Sequence, residues 1–119
     1  MHGAWIEEVI GIRNVHIRGI HLRLPGYGRD REAKGPTLEI FQYNHIAASP
    51  GLPAINGAGY AHIAFLVDDV EACLHKLLAS GGRKLGEIVV QELDNVGILT
   101  VVYTRDPEGN IVEIQNWQT

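Results

Sequence analysis

Residues Thr104–Trp117 read TRDPEGNIVEIQNW. Asp106-Pro107-Glu108-Gly109-Asn110 is a turn: proline fixes φ, Gly109 permits positive φ, and Asn110 tolerates the bend. Ile111–Gln115 (IVEIQ) then has the β-branched composition of a strand. Side chains alternate across a strand, so Glu113 shares a face with Ile111, Gln115 and Trp117. A carboxylate there either points to solvent across the ladder or needs a partner, because an unpaired buried charge is costly.

Working outward, Gly97–Thr104 (GILTVVYT) and Glu87–Leu93 are the two strands before the turn. Tyr103 and Thr100 lie on opposite parities of the first, so one of them faces a pocket. Further upstream, Val70, Cys73, Leu74, Leu77 and Leu78 follow the spacing of a helix with one buried face. Asp68 as N-cap with Glu71 three residues on resembles a capping box, and Gly81-Gly82 supplies a left-handed C-cap. Tyr60–Val67 (YAHIAFLV) is a strand on which His62 shares a face with Tyr60, Ala64 and Leu66. The second half of the chain therefore reads strand-helix-strand-strand-strand.

The first half is shorter. Ala4–Ile10 forms helical turns that Gly11 ends. Val15–Leu24 (VHIRGIHLRL) is a strand whose apolar parity slips at Gly19, which predicts a bulge there. Pro25–Gly35 (PGYGRDREAKG) is a polar hairpin loop, with Arg29, Arg31 and Lys34 at a solvated tip. Thr37–Asn44 (TLEIFQYN) is the next strand, with Glu39 on the face of Phe41 and Tyr43. Ala48–Gly59, rich in Ala, Pro, Gly and Asn, is a linker. If both halves derive from one βαβββ unit, the first lacks a strand, a helix and a further strand.

The 119 residues suit one compact domain, and 45% hydrophobic with 20% charged residues excludes a mostly disordered chain. A net charge of −4 without a basic stripe argues against nucleic acid as partner. No apolar run approaches the ~20 residues of a membrane span, and the start lacks a signal-peptide pattern. Cys73 is the single cysteine, so no intrachain disulfide forms, and a cytoplasmic location is expected. On the apolar helix face Cys73 is a core thiol.

Glu39, His62 and Glu113 each sit on a strand beside large or apolar residues. A metal ion shared by two carboxylates and an imidazole would satisfy all three. Taken singly, each has a plainer reading, as a solvent-facing carboxylate or a half-buried histidine. Their wide spacing is not a metal signature in itself.

His62-Ile63-Ala64-Phe65-Leu66-Val67-Asp68, an amphipathic helix, and Asp106-Pro107-Glu108-Gly109-Asn110-Ile111-Val112-Glu113-Ile114 together resemble the vicinal oxygen chelate superfamily. This is the glyoxalase, bleomycin-resistance and extradiol-dioxygenase group. The resemblance covers Gly59–Trp117 and extends more weakly to IHLRLPG and LEIFQY, which look like the last strands of a first module. It implies an α+β fold of paired βαβββ modules forming a curved mixed sheet, a half-barrel, with the first module incomplete. Residues 4–47 would be the partial first module, 48–59 the linker and 60–117 the complete second module, all within one glyoxalase-like domain.

By position the resemblance carries over three metal ligands: Glu39, His62 and Glu113. Glu39 and Glu113 would also be the catalytic carboxylates that exchange protons with substrate. The implied cofactor is a divalent ion (Ni, Co, Mn, Mg, Zn or Fe(II)), and the implied partner is a small substrate with two adjacent oxygens. The implied activity is that of a metal-dependent lyase or isomerase. A fourth ligand would lie on the first module's initial strand, in a stretch for which this sequence has no counterpart. That departure opens two alternatives: a small-molecule-binding protein of the drug-sequestering type, or a truncated member that oligomerises without activity. It also predicts an exposed sheet edge and a homo-oligomer, a dimer first of all, that covers it.

Other residues carry plainer expectations. His21 has Arg23 on its parity and is assigned to solvent or an interface. His2 lies at the terminus, His16 on the same strand as His21, His45 in a loop and His75 on a helix surface. Phe41, Tyr43 and Trp117 read as core aromatics ahead of a cavity lining.

Overall fold

A computed structural model describes residues 1–24, 36–49 and 51–119. The expected hairpin loop with Arg29, Arg31 and Lys34 lies outside the described residues. The chain is α+β and divides into two compact units, Met1–Ser49 and Pro50–Thr119. No helix among the described residues is long and apolar enough to cross a membrane.

In the first unit, α1 (Ala4–Ile10) ends at Gly11, which takes the left-handed conformation and donates its N–H to the Glu7 carbonyl at 2.8 Å. Strands β1 (Ile17–Arg23) and β2 (Thr37–Tyr43) pair antiparallel. Buried Ile6, Val15 and Ile17 form the core, with Ile10, Phe41 and Tyr43 packed against it. Phe41 and Tyr43 are thus core aromatics. The expected bulge at Gly19 is absent: the register runs unbroken from Ile17↔Tyr43 to Arg23↔Thr37. The parity slip has another cause. Gly19 sits directly opposite Phe41, whose ring occupies the space a Gly19 side chain would need. The odd-numbered face is filled by a ring from β2, while Ile20 (52% exposed) and Ile40 (53% exposed) lie open on the other face.

In the second unit, β3 (His62–Leu66), α2 (Val70–Ala79), β4 (Arg83–Lys84), β5 (Val89–Leu93), β6 (Gly97–Arg105) and β7 (Ile111–Gln118) follow in order. They make a five-stranded sheet in the order β3-β7-β6-β4, with β5 also pairing β6. Only the β3–β7 pair is parallel; the sheet is mixed and open. The two-residue β4 is an addition to the expected order.

The helix cap differs from expectation. The chain stays extended through Asp69, at φ −137° and ψ 106°. Asp69 is therefore the N-cap, and its carboxylate accepts the Ala72 N–H at 2.9 Å. The three-residue spacing to Glu71 favours Asp68, but the backbone turns helical one residue later. At the other end the Gly82 N–H bonds to the Leu77 carbonyl at 3.0 Å while Gly81 takes φ +94°.

Helix α2 covers one face of the sheet, where Val70, Val102 and Ile114 are buried with Val67, Cys73, Leu77 and Ile88 around them. Each large side chain buried there contributes about 1.5–3 kcal/mol. Leu78, assigned to the buried face, is 40% exposed. With one face committed to the helix, the alternate residues of β3, β6 and β7 point to the other.

Candidate functional site

Register decides what meets on that other face. His62 stands opposite Ile111 and Ala64 opposite Glu113, so His62 and Glu113 lie on one face of neighbouring parallel strands. Across the antiparallel ladder Tyr103 stands opposite Glu113. These three side chains converge. His62 Nε2 lies 3.1 Å from Glu113 Oε2, with the imidazole 30% and the carboxylate 13% exposed. The Tyr103 ring meets the imidazole edge-on, centroids 5.1 Å apart at 81°.

The Tyr103 hydroxyl donates to the Glu113 carboxylate. That hydrogen bond, with burial and the carboxylate's charge behind it, raises the phenol above its ordinary pKa of 10.0. Tyr103 is accordingly a protonated donor at neutral pH. It is the member of the expected pair that joins Glu113. Thr100 lies on the helix face, where with Asp69, Val70, Ile88, Val90 and Asn116 it lines an open cavity of about 430 Å³.

The turn between β6 and β7 fixes where Glu113 begins its strand. The Asp106 carboxylate accepts the Asn110 N–H at 2.8 Å and its amide at 2.9 Å, and Gly109 adopts φ +91°. Arg105 closes the turn by donating to the Gly109 carbonyl at 2.7 Å and to the Pro53 carbonyl at 2.9 Å. Trp117, at the far end of the strand, is half-buried and donates its indole N–H to Gln115 Oε1 at 2.7 Å.

Glu39 has a different partner. It stands directly opposite His21 in the β1–β2 ladder, with Nδ1 and Oε1 at 3.2 Å. The structure thus brings His62 and Glu113 together in the second unit and pairs Glu39 with His21 in the first. His21, assigned from parity to solvent or an interface, is 59% exposed yet engaged by a carboxylate. The signal that finds it is the cross-strand register, which needs the partner strand as well as the parity. His45 and His75 are exposed, and the rings of His2 and His16 stack at 5.2 Å.

The donors can be tested against a divalent ion. With metal–nitrogen and metal–oxygen bonds of about 2.0–2.2 Å, donors at a right angle lie about 3.0 Å apart. The 3.1 Å between His62 Nε2 and Glu113 Oε2 fits two adjacent corners of an octahedron. Among the described residues, no group of three or more His, Cys, Asp or Glu is placed to hold a metal ion. The described residues thus bring two such donors together, at a spacing that is equally that of a direct hydrogen bond.

Comparison with known proteins concerns the fold and the family. A glyoxalase family protein from Bacillus cereus has a similar structure, with a TM-score of 0.78 at 19% identity, over 100% of this chain and 74% of that one. At that identity the likeness concerns the fold. TioX from Micromonospora sp. ML1 is 21% identical over 97% of this chain and 84% of its own, with a TM-score of 0.40. No curated protein matches. Residues 5–114, nearly the whole chain, match the family profile described as Glyoxalase/Bleomycin resistance protein/Dioxygenase superfamily, and the chain belongs to that superfamily.

Proposed function

We propose that the chain binds a divalent metal ion through His62 and Glu113 and performs glyoxalase-like lyase or isomerase chemistry. Its substrate would be a small molecule with two adjacent oxygens. The observation that supports this best is the convergence of an imidazole nitrogen and a carboxylate oxygen at the spacing of adjacent ligands, on the sheet face that α2 leaves open. When bound, such an ion acts as a Lewis acid on substrate oxygens and stabilises developing enolate-like charge. His62 presents Nε2 from β3. Glu113 presents Oε2 and is the carboxylate placed to exchange a proton with substrate. Tyr103 orients that carboxylate and holds a phenol proton beside it.

A second reading is favoured by a different observation: His62, Glu113 and Tyr103 already satisfy one another. A small-molecule-binding protein of the drug-sequestering type would need a surface of this kind and no metal. Self-association belongs to either reading, since β1 and β2 form a sheet of two strands with Ile20 and Ile40 exposed on one face. Monomeric sedimentation at micromolar protein would count against it.

Isothermal titration of the metal-stripped protein with Ni, Co, Mn, Zn and Fe(II) tests the first reading. Saturable binding of at least one ion is expected. Silence with every ion at high micromolar levels overturns it, and ligand binding that persists in a chelator then favours the second reading.

A further inference from the structure

We propose that the open face of the second unit takes an uncharged, apolar molecule with an acceptor oxygen, and that the amide nitrogen of Gln115 recognises that oxygen. The proposal rests on this face being where ligand sits, which both functional readings share, and not on the metal. Gln115 follows Glu113 by two residues on β7, so it lies on the same face, roughly 6.5–7 Å further along the strand. The acceptor oxygen of the ligand stands about that far from the part that meets His62 and Glu113.

Trp117 decides which end of that amide is left for a ligand. Its indole N–H donates to Gln115 Oε1 at 2.7 Å. An indole nitrogen only donates, so the atom it meets is the amide oxygen. The amide nitrogen, a donor, is then the free end of the group. Among the described residues it has no hydrogen-bond partner. Gln115 is half-buried, and so is the indole that holds it. A donor held in one orientation beside an apolar surface selects for an acceptor, because covering it with an apolar group leaves it unsatisfied.

The surroundings set the charge. Leu66 and Val101 flank Gln115 on the neighbouring strands, and Leu99 stands opposite Trp117. On β5 the same two rows continue as Val89 and Gln91. The polar members, Gln115 and Gln91, are uncharged amides, and Gln91 donates to the Glu92 carbonyl at 2.8 Å. Arg105 and Arg83 share a row on the far side of Glu113, and Arg105 is held by the Gly109 and Pro53 carbonyls. Glu113 itself repels an anion and is already met by His62 and Tyr103. A carboxylate or phosphate over these rows would lose hydration without gaining a cation, whereas an apolar body gains by covering Trp117, Leu99 and Val101.

The test uses the full chain, isotopically labelled and kept in EDTA, so that its outcome is separate from that of the metal titration. Coumarin is the uncharged probe, with a carbonyl acceptor. Coumarin-3-carboxylate and N-methylquinolinium are its anionic and cationic counterparts. Nuclear magnetic resonance follows the indole and amide signals, with Trp5→Phe assigning the indoles. Coumarin should saturably shift the Trp117 indole and the Gln115 amide and leave Trp5 unmoved. Both charged probes should bind more weakly, by about tenfold or more. Gln115→Met should weaken coumarin about threefold to tenfold, the worth of one hydrogen bond. Gln115→Lys should turn the preference toward coumarin-3-carboxylate, and it carries the comparison if Gln115→Met does not fold by circular dichroism. Charged probes that bind as well as coumarin, affinities indifferent to both variants, or a Trp117 indole that no probe moves at millimolar concentration overturn the proposal. A Trp117 signal that moves with protein concentration alone also overturns it, since a second copy then covers the face.

Discussion

Tyr103 and Glu113 stand directly opposite each other across the β6–β7 ladder, joined phenol to carboxylate. The pairing puts a proton donor on the one carboxylate that also meets His62. It follows from register: a one-residue slip of β7 would turn Glu113 to the helix face and part it from both partners.

The first prediction concerns that phenol. Its pKa is raised above the ordinary 10.0 by the hydrogen bond to Glu113, burial and the carboxylate's charge. A group held protonated in the fold contributes stability that is fully present below its unfolded pKa. That contribution is lost as pH rises through the higher folded value. Stability should therefore decline above pH 10, and the Tyr103→Phe variant should lack this part of the decline. At neutral pH that variant should lose about 0.5–1.5 kcal/mol, the net worth of one hydrogen bond. Tyrosinate absorbance and denaturant midpoints across alkaline pH check both points. A Tyr103 that ionises at or below the ordinary value would contradict the assignment.

Thr104 is fully buried and donates its hydroxyl to the Val112 carbonyl at 2.8 Å. Thr104→Val keeps the shape but leaves that carbonyl without the hydroxyl donor. The expected cost is about 1–3 kcal/mol, read as a lower denaturant midpoint. An unchanged midpoint would mean that the carbonyl finds another partner.

Gly82 has no room for a methyl group. A Cβ there would meet Leu77 and come within 2.8 Å of the Arg105 carbonyl, which is backbone and cannot move aside cheaply. Gly82→Ala should destabilise the second unit by about 1–3 kcal/mol. Hydrogen exchange should show the loss in α2 and β4. Thermal melting equal to the parent chain would contradict the packing.

The second unit was legible because its elements carry their own punctuation. The apolar spacing of α2, the glycine pair after it and the Asp106–Asn110 turn each mark a boundary, and the strand between turn and terminus has one reading. The first unit was less so. Gly19 looked like a bulge because a vacancy filled by the Phe41 ring and a break in pairing leave the same trace in a single strand's pattern. His21, assigned to solvent or an interface, is 59% exposed, but its carboxylate partner stayed hidden: parity names the face, and only the partner strand names the neighbour. The resemblance supplied Glu39, His62 and Glu113 as a set, but which side chains actually touch is a property of the two ladders. Tyr103 could be narrowed to one of two parities and no further, since the choice depends on which sheet face α2 covers.

The central claim is that His62 and Glu113 together hold a divalent ion. The most direct measurement is isothermal titration of metal-stripped chain, His62→Ala and Glu113→Gln with the same ion, each checked for fold by circular dichroism. The account predicts saturable binding by the native chain, weakened about tenfold or more in each variant. Native-like affinity in both folded variants would contradict it.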